Sequence, residues 1–465
     1  MTQVRPQAPP AVELVRGLTL LDATLLIVGS VIGSGIFFSP SIMAGWLQSP
    51  GLLLGLWIVG GVLTLAGALS YAELAAAMPR AGGQYVFLSE AFSPVFGFLY
   101  GWTLLLAINT GFVAAVSVAF AKTLGFFWPA IGEQNVLFAL GGARVSSAQL
   151  VGLGVIAALT WLNVTGLRTG ASVQNLFTLA KLGALLALVV MAVVTARGRL
   201  ANFQPLLVVA LGPEGVRLGL FAALAGAMSK ALFAYDSWYT VTFAAEEVKQ
   251  PERNLPRSLV LGTLGVMVAY AATVAAYIYL VPIGEMAAVT ENRIATEAAV
   301  RMIGPAGGTF IAVAVLVSTF GCVNGLTLAG ARVVYAMARD GVFFRAAGGV
   351  HPVHRTPANA LLLHGLVAGV LTLTGTFSDL LTMTSFSSLL FNVLTVVGLF
   401  VLRRRRPDLP RPYRAWGYPV VPGLFVAVAL FFLVYMPVAD PRNTGLGLLL
   451  TAAGVPAYAY WRRRA

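Results

Sequence analysis

The feature that most constrains this chain is a series of apolar runs, each about 20 residues or longer and thus able to cross a bilayer as a helix. The sequence predicts twelve such spans, at 20–46, 51–78, 93–122, 147–166, 172–195, 218–246, 258–281, 306–337, 357–376, 379–402, 417–437 and 444–461. Only 10% of the residues are charged, against about 25% in a typical soluble domain. We therefore expect an all-α polytopic membrane protein.

The distribution of basic residues predicts how the spans are oriented. If the N-terminus lies inside, the inside segments hold 20 of the 30 Lys and Arg residues. The positive-inside bias then places both termini in the cytoplasm. The run Arg403–Arg406 reads as a topology anchor beside anionic lipid, so the net charge of +13 requires no nucleic acid. The polar start, Met1–Pro10, resembles no removable signal peptide, and the single Cys322 excludes an internal disulfide.

The first span contains the stretch VGSVIGSGIFFSP, residues 28–40, whose glycines weaken a helix. A break at 33–35 would leave free amides near Ile36 and free carbonyls near Val31. Amide donors on one side and carbonyl acceptors on the other suit the zwitterionic head group of an α-amino acid. Helix packing through Gly29-xxx-Gly33 explains the same spacing, and the residues alone leave both interpretations open.

The sixth span carries a carboxylate near its middle, Asp236, which is costly in a membrane and therefore a functional candidate. This span follows the first by five, as expected if two five-helix halves form inverted repeats around a midplane site. Lys230 in the same span either snorkels toward the outer vestibule, which we favour, or recognises an anionic substrate side chain.

Five motifs distributed along the chain carry a family resemblance. They are IGSGIF at 32–37, FAYDSW at 233–238, EEVKQPERNLPRS at 246–258, STFGCVNG at 318–325, and RVVYAMARDG at 332–341 followed by HPVHRTPANALLL from His351. The chain resembles the amino acid–polyamine–organocation (APC) superfamily and, within it, the L-type amino acid transporter-like permeases. This resemblance implies a LeuT-type 5+5 inverted repeat with helices 1 and 6 broken, two additional helices, and Na⁺-independent amino acid transport.

The resemblance also implies roles for individual residues. The implied substrate site comprises Val31, Ile32, Gly33, Ser34, Gly35, Ile36, Phe233, Ala234 and Asp236. Ser34, Gly35 and Ile36 would donate amides to the substrate carboxylate. The carbonyls of Val31, Phe233 and Asp236 would receive the ammonium group, and the Phe233 ring would close over the substrate from outside.

Two further residues, Lys181 and Ser318, are expected to serve coupling. Lys181 corresponds to a lysine that reaches the unwound part of span one, where sodium sits in Na⁺-driven relatives. A lysine in mid-span needs acceptors, and half-helix carbonyls supply them. Relatives often have Gly where this chain has Ser237, and many have Gly in place of Asp236.

An inner gate is a further expectation. Glu246 or Glu247 would pair with a cytoplasmic arginine such as Arg16 or Arg80, although a solvated charge run is an equal alternative. We expect a tail at 1–19, a ten-helix transport core at 20–402, a basic loop at 403–416, and two more helices with a short tail at 417–465.

Other classes of protein fit less well. An enzyme would have to use His351, His354 and His364, but no general base or third metal ligand accompanies the HxxH pair, so we expect no catalytic residues, metal or cofactor. A channel would need a continuous polar lining. Among carriers, small or medium neutral L-amino acids are the expected substrates, with exchange the expected mode; proton symport and a preference for cationic substrates remain alternatives.

Overall fold

The apolar runs fold into helices that pack around a shared core. The computed structural model describes residues 16–140, 143–208, 219–374 and 377–463. Its helices are α1 Leu20–Val31, α2 Gly35–Trp46, α3 Pro50–Ala77, α4 Gln84–Ala91, α5 Pro94–Thr103, α6 Asn109–Leu124, α7 Ser147–Val164, α8 Leu167–Val194, α9 Leu220–Tyr235, α10 Pro251–Leu280, α11 Ile283–Met286, α12 Ile294–Ile303, α13 Pro305–Arg339, α14 Ala358–Thr374, α15 Phe377–Arg405, α16 Val420–Ala439 and α17 Pro441–Arg462.

Shorter elements connect some of these helices. A π-helical turn, Leu104–Ile108, joins α5 to α6 without a gap. Four 3₁₀ segments lie at Leu200–Phe203, Thr240–Glu247, Thr290–Asn292 and Arg345–Gly348. An antiparallel hairpin of β1 Val136–Leu140 and β2 Ala143–Ser146 precedes α7. The sequence analysis did not anticipate this hairpin.

The chain is a helical, multi-pass membrane protein. Within the described ranges, nine helical segments are long and apolar enough to span a membrane, counting α1 with α2 and α5 with α6. The remaining predicted spans form shorter or more polar helices. Span 218–246 is divided after Tyr235, α14 has 17 residues, and α17 includes Arg442, Asn443 and Arg462.

The first apolar run forms two helices rather than one. A capping box starts α1: the Thr19 hydroxyl accepts from the Asp22 amide, and the Asp22 carboxylate accepts from the Thr19 amide. The helix ends at Val31, and α2 begins at Gly35. The intervening residues 32–34 lie inside the bundle, because α1 packs against α8, α10 and α13.

The sixth run is also interrupted. After α9 ends at Tyr235, Asp236 is extended and Ser237 has a φ of +71°. A positive φ is strained for a residue with a side chain. The chain then continues as the 3₁₀ segment Thr240–Glu247 before α10.

The two interruptions lie against each other. A Cβ built on Gly35 would be 2.4 Å from the Cβ of Ala234 and 2.5 Å from its Cα. Only glycine allows α2 to begin this close to the end of α9. The free helix ends of the first and sixth runs therefore share one buried region.

Candidate functional site

The side chain of Lys181 on α8 connects the first interruption to its surroundings. It is fully buried, and its Nζ donates to the carbonyls of Gly29 at 2.8 Å, Ile32 at 2.6 Å and Ser318 at 3.0 Å. An ammonium group has three donors, so all of them are used. The carbonyl oxygens at the break thus accept hydrogen bonds from a positively charged group and need no water as a donor.

Helix α13 supplies further donors to the same backbone. The Ser318 hydroxyl donates to the carbonyl of Ile32 at 3.1 Å, and the Cys322 thiol donates to that of Ser30 at 3.0 Å. A Cβ on Gly33 would be 2.7 Å from the Cys322 sulfur, so α13 packs closely on the break. Ser318, which the resemblance implied, therefore donates to the break through its hydroxyl and accepts from Lys181 through its carbonyl.

Tyr270 on α10 joins the two interruptions and was missed by the sequence analysis. Its hydroxyl lies 3.0 Å from the Val31 carbonyl oxygen and 3.1 Å from that of Ala234. One hydroxyl proton is thereby placed between the last carbonyls of two half-helices. The only signal in the sequence is a tyrosine inside the apolar run of α10, which does not indicate what it contacts.

The resemblance implies that the Val31 carbonyl oxygen accepts from the substrate ammonium group, but this oxygen already has two donors. It already lies within hydrogen-bond distance of the Tyr270 hydroxyl and accepts from the Gly33 amide at 2.8 Å. A carbonyl oxygen has two lone pairs, so an incoming ammonium group would have to displace one of these donors. Phe233 offers a carbonyl that accepts from the Asp236 amide at 3.3 Å.

The N-terminus of α2 presents donors on the other side of the break. Ser34 is the N-cap residue, but its side chain makes no capping bond. Its hydroxyl is fully buried and has no hydrogen-bond partner among the described residues. The amides at the start of the helix, including those of Gly35 and Ile36, have no intrahelical acceptor by geometry. This end of the helix can therefore receive a carboxylate.

The glycines of the motif serve helix packing as well as the break. A Cβ on Gly29 would lie 2.0 Å from the Gln174 amide nitrogen and 2.2 Å from the Thr178 hydroxyl, both on α8. The packing interpretation is thus correct for Gly29. Gly35 also serves packing, because a Cβ there would meet Ala234 on α9.

The aromatic ring of Phe233 is buried against α6. It lies 4.8 Å from the ring of Phe112, centroid to centroid, with an interplanar angle of 31°. This tilted pair of rings lies beside the region between the interruptions. Phe112 was not anticipated, because nothing in the sequence of this apolar helix distinguishes it from Phe120.

The carboxylate of Asp236 is engaged by protein donors. Its Oδ1 accepts from the Ser237 amide and from the Tyr239 hydroxyl, the latter at 2.8 Å. The Tyr239 hydroxyl lies 2.9 Å from the hydroxyl of Ser388 on α15. The carboxylate thus bonds the backbone amide of the next residue and a tyrosine hydroxyl at the interruption.

The expected snorkelling of Lys230 is not what the structure shows. The residue is only 6% exposed, and its Nζ donates to the Thr382 hydroxyl on α15 at 2.9 Å. A long side chain snorkels when water is its best partner, whereas here a buried hydroxyl lies within reach. The ammonium group is therefore held within the bundle.

The gate glutamates have partners other than those predicted. Glu247 accepts from Arg332 on α13 at 3.0 and 2.9 Å, and both side chains are at most 2% exposed. Glu246 lies 3.8 Å from Arg339, while Arg80 pairs with Glu90. The expectation of Arg16 or Arg80 is wrong because α13 brings arginines from much later in the chain against the 3₁₀ segment.

The base of α1 joins this ion pair through the backbone. The carbonyl of Glu247 accepts from the amides of Gly17 and Leu18, each at 2.9 Å, and the Lys249 amide donates to the Leu18 carbonyl at 2.8 Å. Residues preceding α1 and residues following the sixth-run interruption are therefore joined by backbone hydrogen bonds. We call this side of the bundle the arginine-rich face, since it carries Arg332, Arg339, Arg403, Arg406 and Arg411.

The histidines do not form a shared site. In the loop before α14, the Nδ1 atom of His351 accepts from the amides of Val353 and His354 at 3.3 and 3.2 Å. His364 lies in α14 with its Nε2 atom 2.6 Å from the Asn109 side-chain oxygen. Both arrangements stabilise local packing.

Comparisons with known proteins identify the family of this chain. The family model for amino acid permeases matches residues 18–455. The chain therefore belongs to the amino acid permease family, within the APC superfamily, and is a membrane transporter rather than an enzyme.

Relatives with assigned substrates align over nearly the whole chain. The serine/threonine exchanger SteT of Bacillus subtilis is 30% identical, with 96% of each chain covered. The human cystine/glutamate transporter is 30% identical over 97% of this chain and 86% of its own length. The rat large neutral amino acids transporter small subunit 2 is 31% identical over 97% of this chain and 82% of its own length.

Proposed function

We propose that this protein is a Na⁺-independent secondary transporter that exchanges small or medium neutral L-amino acids by alternating access. The relatives named above support amino acid exchange in general. The observation that carries the more specific proposal is the buried ammonium of Lys181 on the carbonyls of Gly29, Ile32 and Ser318.

Na⁺ independence follows from that ammonium group. Backbone carbonyls at the end of a broken helix are the ligands that a sodium ion would take in a transporter of this kind. Here they already coordinate a fixed positive charge. A second cation among the same oxygens would be repelled strongly in a medium of low dielectric constant.

The substrate head group is proposed to bind between the two interruptions. Its carboxylate would accept from the Ser34 hydroxyl and from the amides of Gly35 and Ile36. Its ammonium group would lie toward the carbonyls of Phe233, Asp236 and, after displacement of a donor, Val31. Ile32, Gly33 and Ala234 complete the lining, with Phe233 as the outer lid.

Neutral substrates are favoured because the Asp236 carboxylate already has donors. The Ser237 amide and the Tyr239 hydroxyl occupy one of its oxygens. Because the Asp236 carboxylate already bonds residues at the break, we do not assign it a role in selecting substrates with a cationic side chain. A preference for small or medium substrates is consistent with the tight packing around Phe233 and Phe112.

The proposed architecture is the LeuT-type arrangement of two inverted five-helix repeats with twelve spans. The ten-helix core would comprise 20–402, followed by the basic loop 403–416 and two further helices. The arginine-rich face would be cytoplasmic, with both termini inside the cell membrane. Glu247 and Arg332 would then close the inner side of the pathway.

Counterflow in proteoliposomes tests the proposal. Vesicles loaded with single unlabelled amino acids should accumulate labelled serine, alanine or leucine only when a neutral L-amino acid is inside. Replacing external Na⁺ by choline should leave uptake unchanged. Uptake into empty vesicles driven by a pH gradient would instead indicate proton symport, and efficient trans-stimulation by arginine or lysine would indicate a cationic carrier.

A further inference from the structure

We propose that a groove on the arginine-rich face binds an anionic phospholipid, with its phosphate at Arg253 and Arg257. The groove has a volume of about 790 Å³ and lies between α3, the first turns of α10 and the loop before α16. Its lining includes Leu69, Glu252, Arg253, Arg257, Leu261 and Tyr413. This inference concerns a lipid site and does not depend on which amino acid is transported.

The two arginines are adjacent on the helix surface and lack a protein counter-charge. They are four residues apart, so both side chains project from the same face of α10. Both are exposed, and neither guanidinium makes a hydrogen bond or ion pair with another residue in the described part of the chain. Arg253 also lies in the first turn, where the helix dipole disfavours a cation.

Several other arginines on this face are neutralised by glutamates. Arg403 and Arg411 both bind the carboxylate of Glu73, at 2.6 and 3.2 Å, and Arg406 binds Glu90 at 2.8 Å. Glu252 is the acidic residue in the groove and leaves a net positive lining. An external anion is therefore the complement that the groove requires.

The walls of the groove identify that anion as a lipid rather than free phosphate. Leu261 lines the groove, and Leu264 and Val268 continue from it along α10 with 53, 40 and 59% of their surfaces exposed. Leu69 on α3 forms the facing wall, and Val62, two turns away, is 54% exposed. A phosphate at the arginines would thus sit at the head of an apolar track suited to acyl chains.

The aromatic residues of the loop fit an interfacial position. Burial raises the pKa of Tyr413, so its hydroxyl remains a neutral donor beside the groove. Trp416, three residues later, is 72% exposed, as expected of a residue at the level of lipid head groups. The Ala415 amide ties this loop to Glu73 at 2.7 Å. A bound phospholipid would bridge this loop to the start of α10.

Lipid retention measured on the purified full-length transporter tests the site. The protein is exchanged into detergent with phosphatidylglycerol or phosphatidylcholine, and bound lipid is counted by native mass spectrometry. We expect phosphatidylglycerol to be retained preferentially. The double variant Arg253→Gln/Arg257→Gln should retain it roughly tenfold less, given two lost cation contacts. The control Arg345→Gln/Arg355→Gln removes the same charge from exposed positions outside the groove and should bind as the unmodified protein does.

Two further measurements distinguish a bound phospholipid from a simple anion. An excess of inorganic phosphate should not displace the lipid, whereas displacement would make this a simple anion site. Leu261→Gln should weaken retention while leaving both arginines intact. Equal loss in the control double variant, or no difference between the two lipids, would overturn the proposal.

Discussion

The ammonium group of Lys181 lies 2.6 Å from the carbonyl oxygen of Ile32, the first residue after α1. These residues are 149 positions apart in the chain, yet this contact holds the interrupted segment in place. The backbone of the break is therefore held by side chains of other helices in addition to its own hydrogen bonds.

Replacing this lysine should disable transport. Lys181→Ala removes the donor from three carbonyls. It should lower uptake by more than about tenfold, because a hydrogen bond to a charged group contributes about 1.5–3 kcal/mol. Lys249→Ala, an exposed lysine outside the break, is the control. Normal uptake by Lys181→Ala in proteoliposomes would show that the ammonium is dispensable.

Ser34 should contribute to substrate affinity, and Ser39 provides a matched control. Both serines are buried on or beside α2, and both hydroxyls have no partner among the described residues. If the Ser34 hydroxyl meets the substrate carboxylate, Ser34→Ala should weaken binding by about tenfold. Ser39→Ala should change binding little. Scintillation proximity binding of a labelled neutral amino acid measures both, and equal effects would contradict the assigned role.

Neutralising Asp236 should preserve the transport of neutral amino acids. An asparagine side-chain oxygen can still accept from the Ser237 amide and the Tyr239 hydroxyl, so the local structure should persist. Asp236→Asn should therefore transport alanine, serine or leucine within about threefold of the unmodified protein, the range of a minor hydrogen-bond change. Our assignment would fail if arginine and lysine outcompete neutral substrates and this variant removes that preference.

Phe233→Ala should lower substrate affinity while leaving the protein folded. The substitution removes the ring that packs against Phe112 and that we propose as the outer lid. We expect KM to rise about tenfold, comparable to the loss of an aromatic contact and the area it buries. Phe221→Ala, at an exposed ring at the start of α9, is the control. An unchanged KM would exclude Phe233 as a lid.

The buried ion pair of Glu247 should matter more than the exposed one of Glu246. Removing one partner of a buried pair costs about 3–5 kcal/mol, whereas an exposed pair contributes about 0–1 kcal/mol. Glu247→Gln should therefore lower the thermal stability and the transport rate, because Arg332 is left buried without its counter-charge. Glu246→Gln should have little effect on either. Similar melting temperatures and rates for the two variants would remove the gate assignment.

The local sequence indicated where the helices could be interrupted, and the family resemblance favoured a break over helix packing. Glycine weakens a helix wherever it occurs, so the break near Gly33 and Gly35 could be located without knowing its neighbours. Asp236 identified the sixth run as a functional candidate, because a carboxylate in an apolar span is costly in any context. Its bond to the Ser237 amide is also local. Such features depend on residues within a few positions of one another.

The partners that stabilise these breaks depended on tertiary structure. Tyr270 reaches Val31 across 239 positions, and Arg332 reaches Glu247 across 85. Lys230 turned to Thr382, 152 positions away, where the sequence suggested a side chain directed to water. The sequence indicates that a freed carbonyl or a buried charge needs a partner. Which residue meets that need is decided by the packing of helices that are distant in the chain, since a polar group inside a membrane bonds whatever the fold brings within about 3 Å.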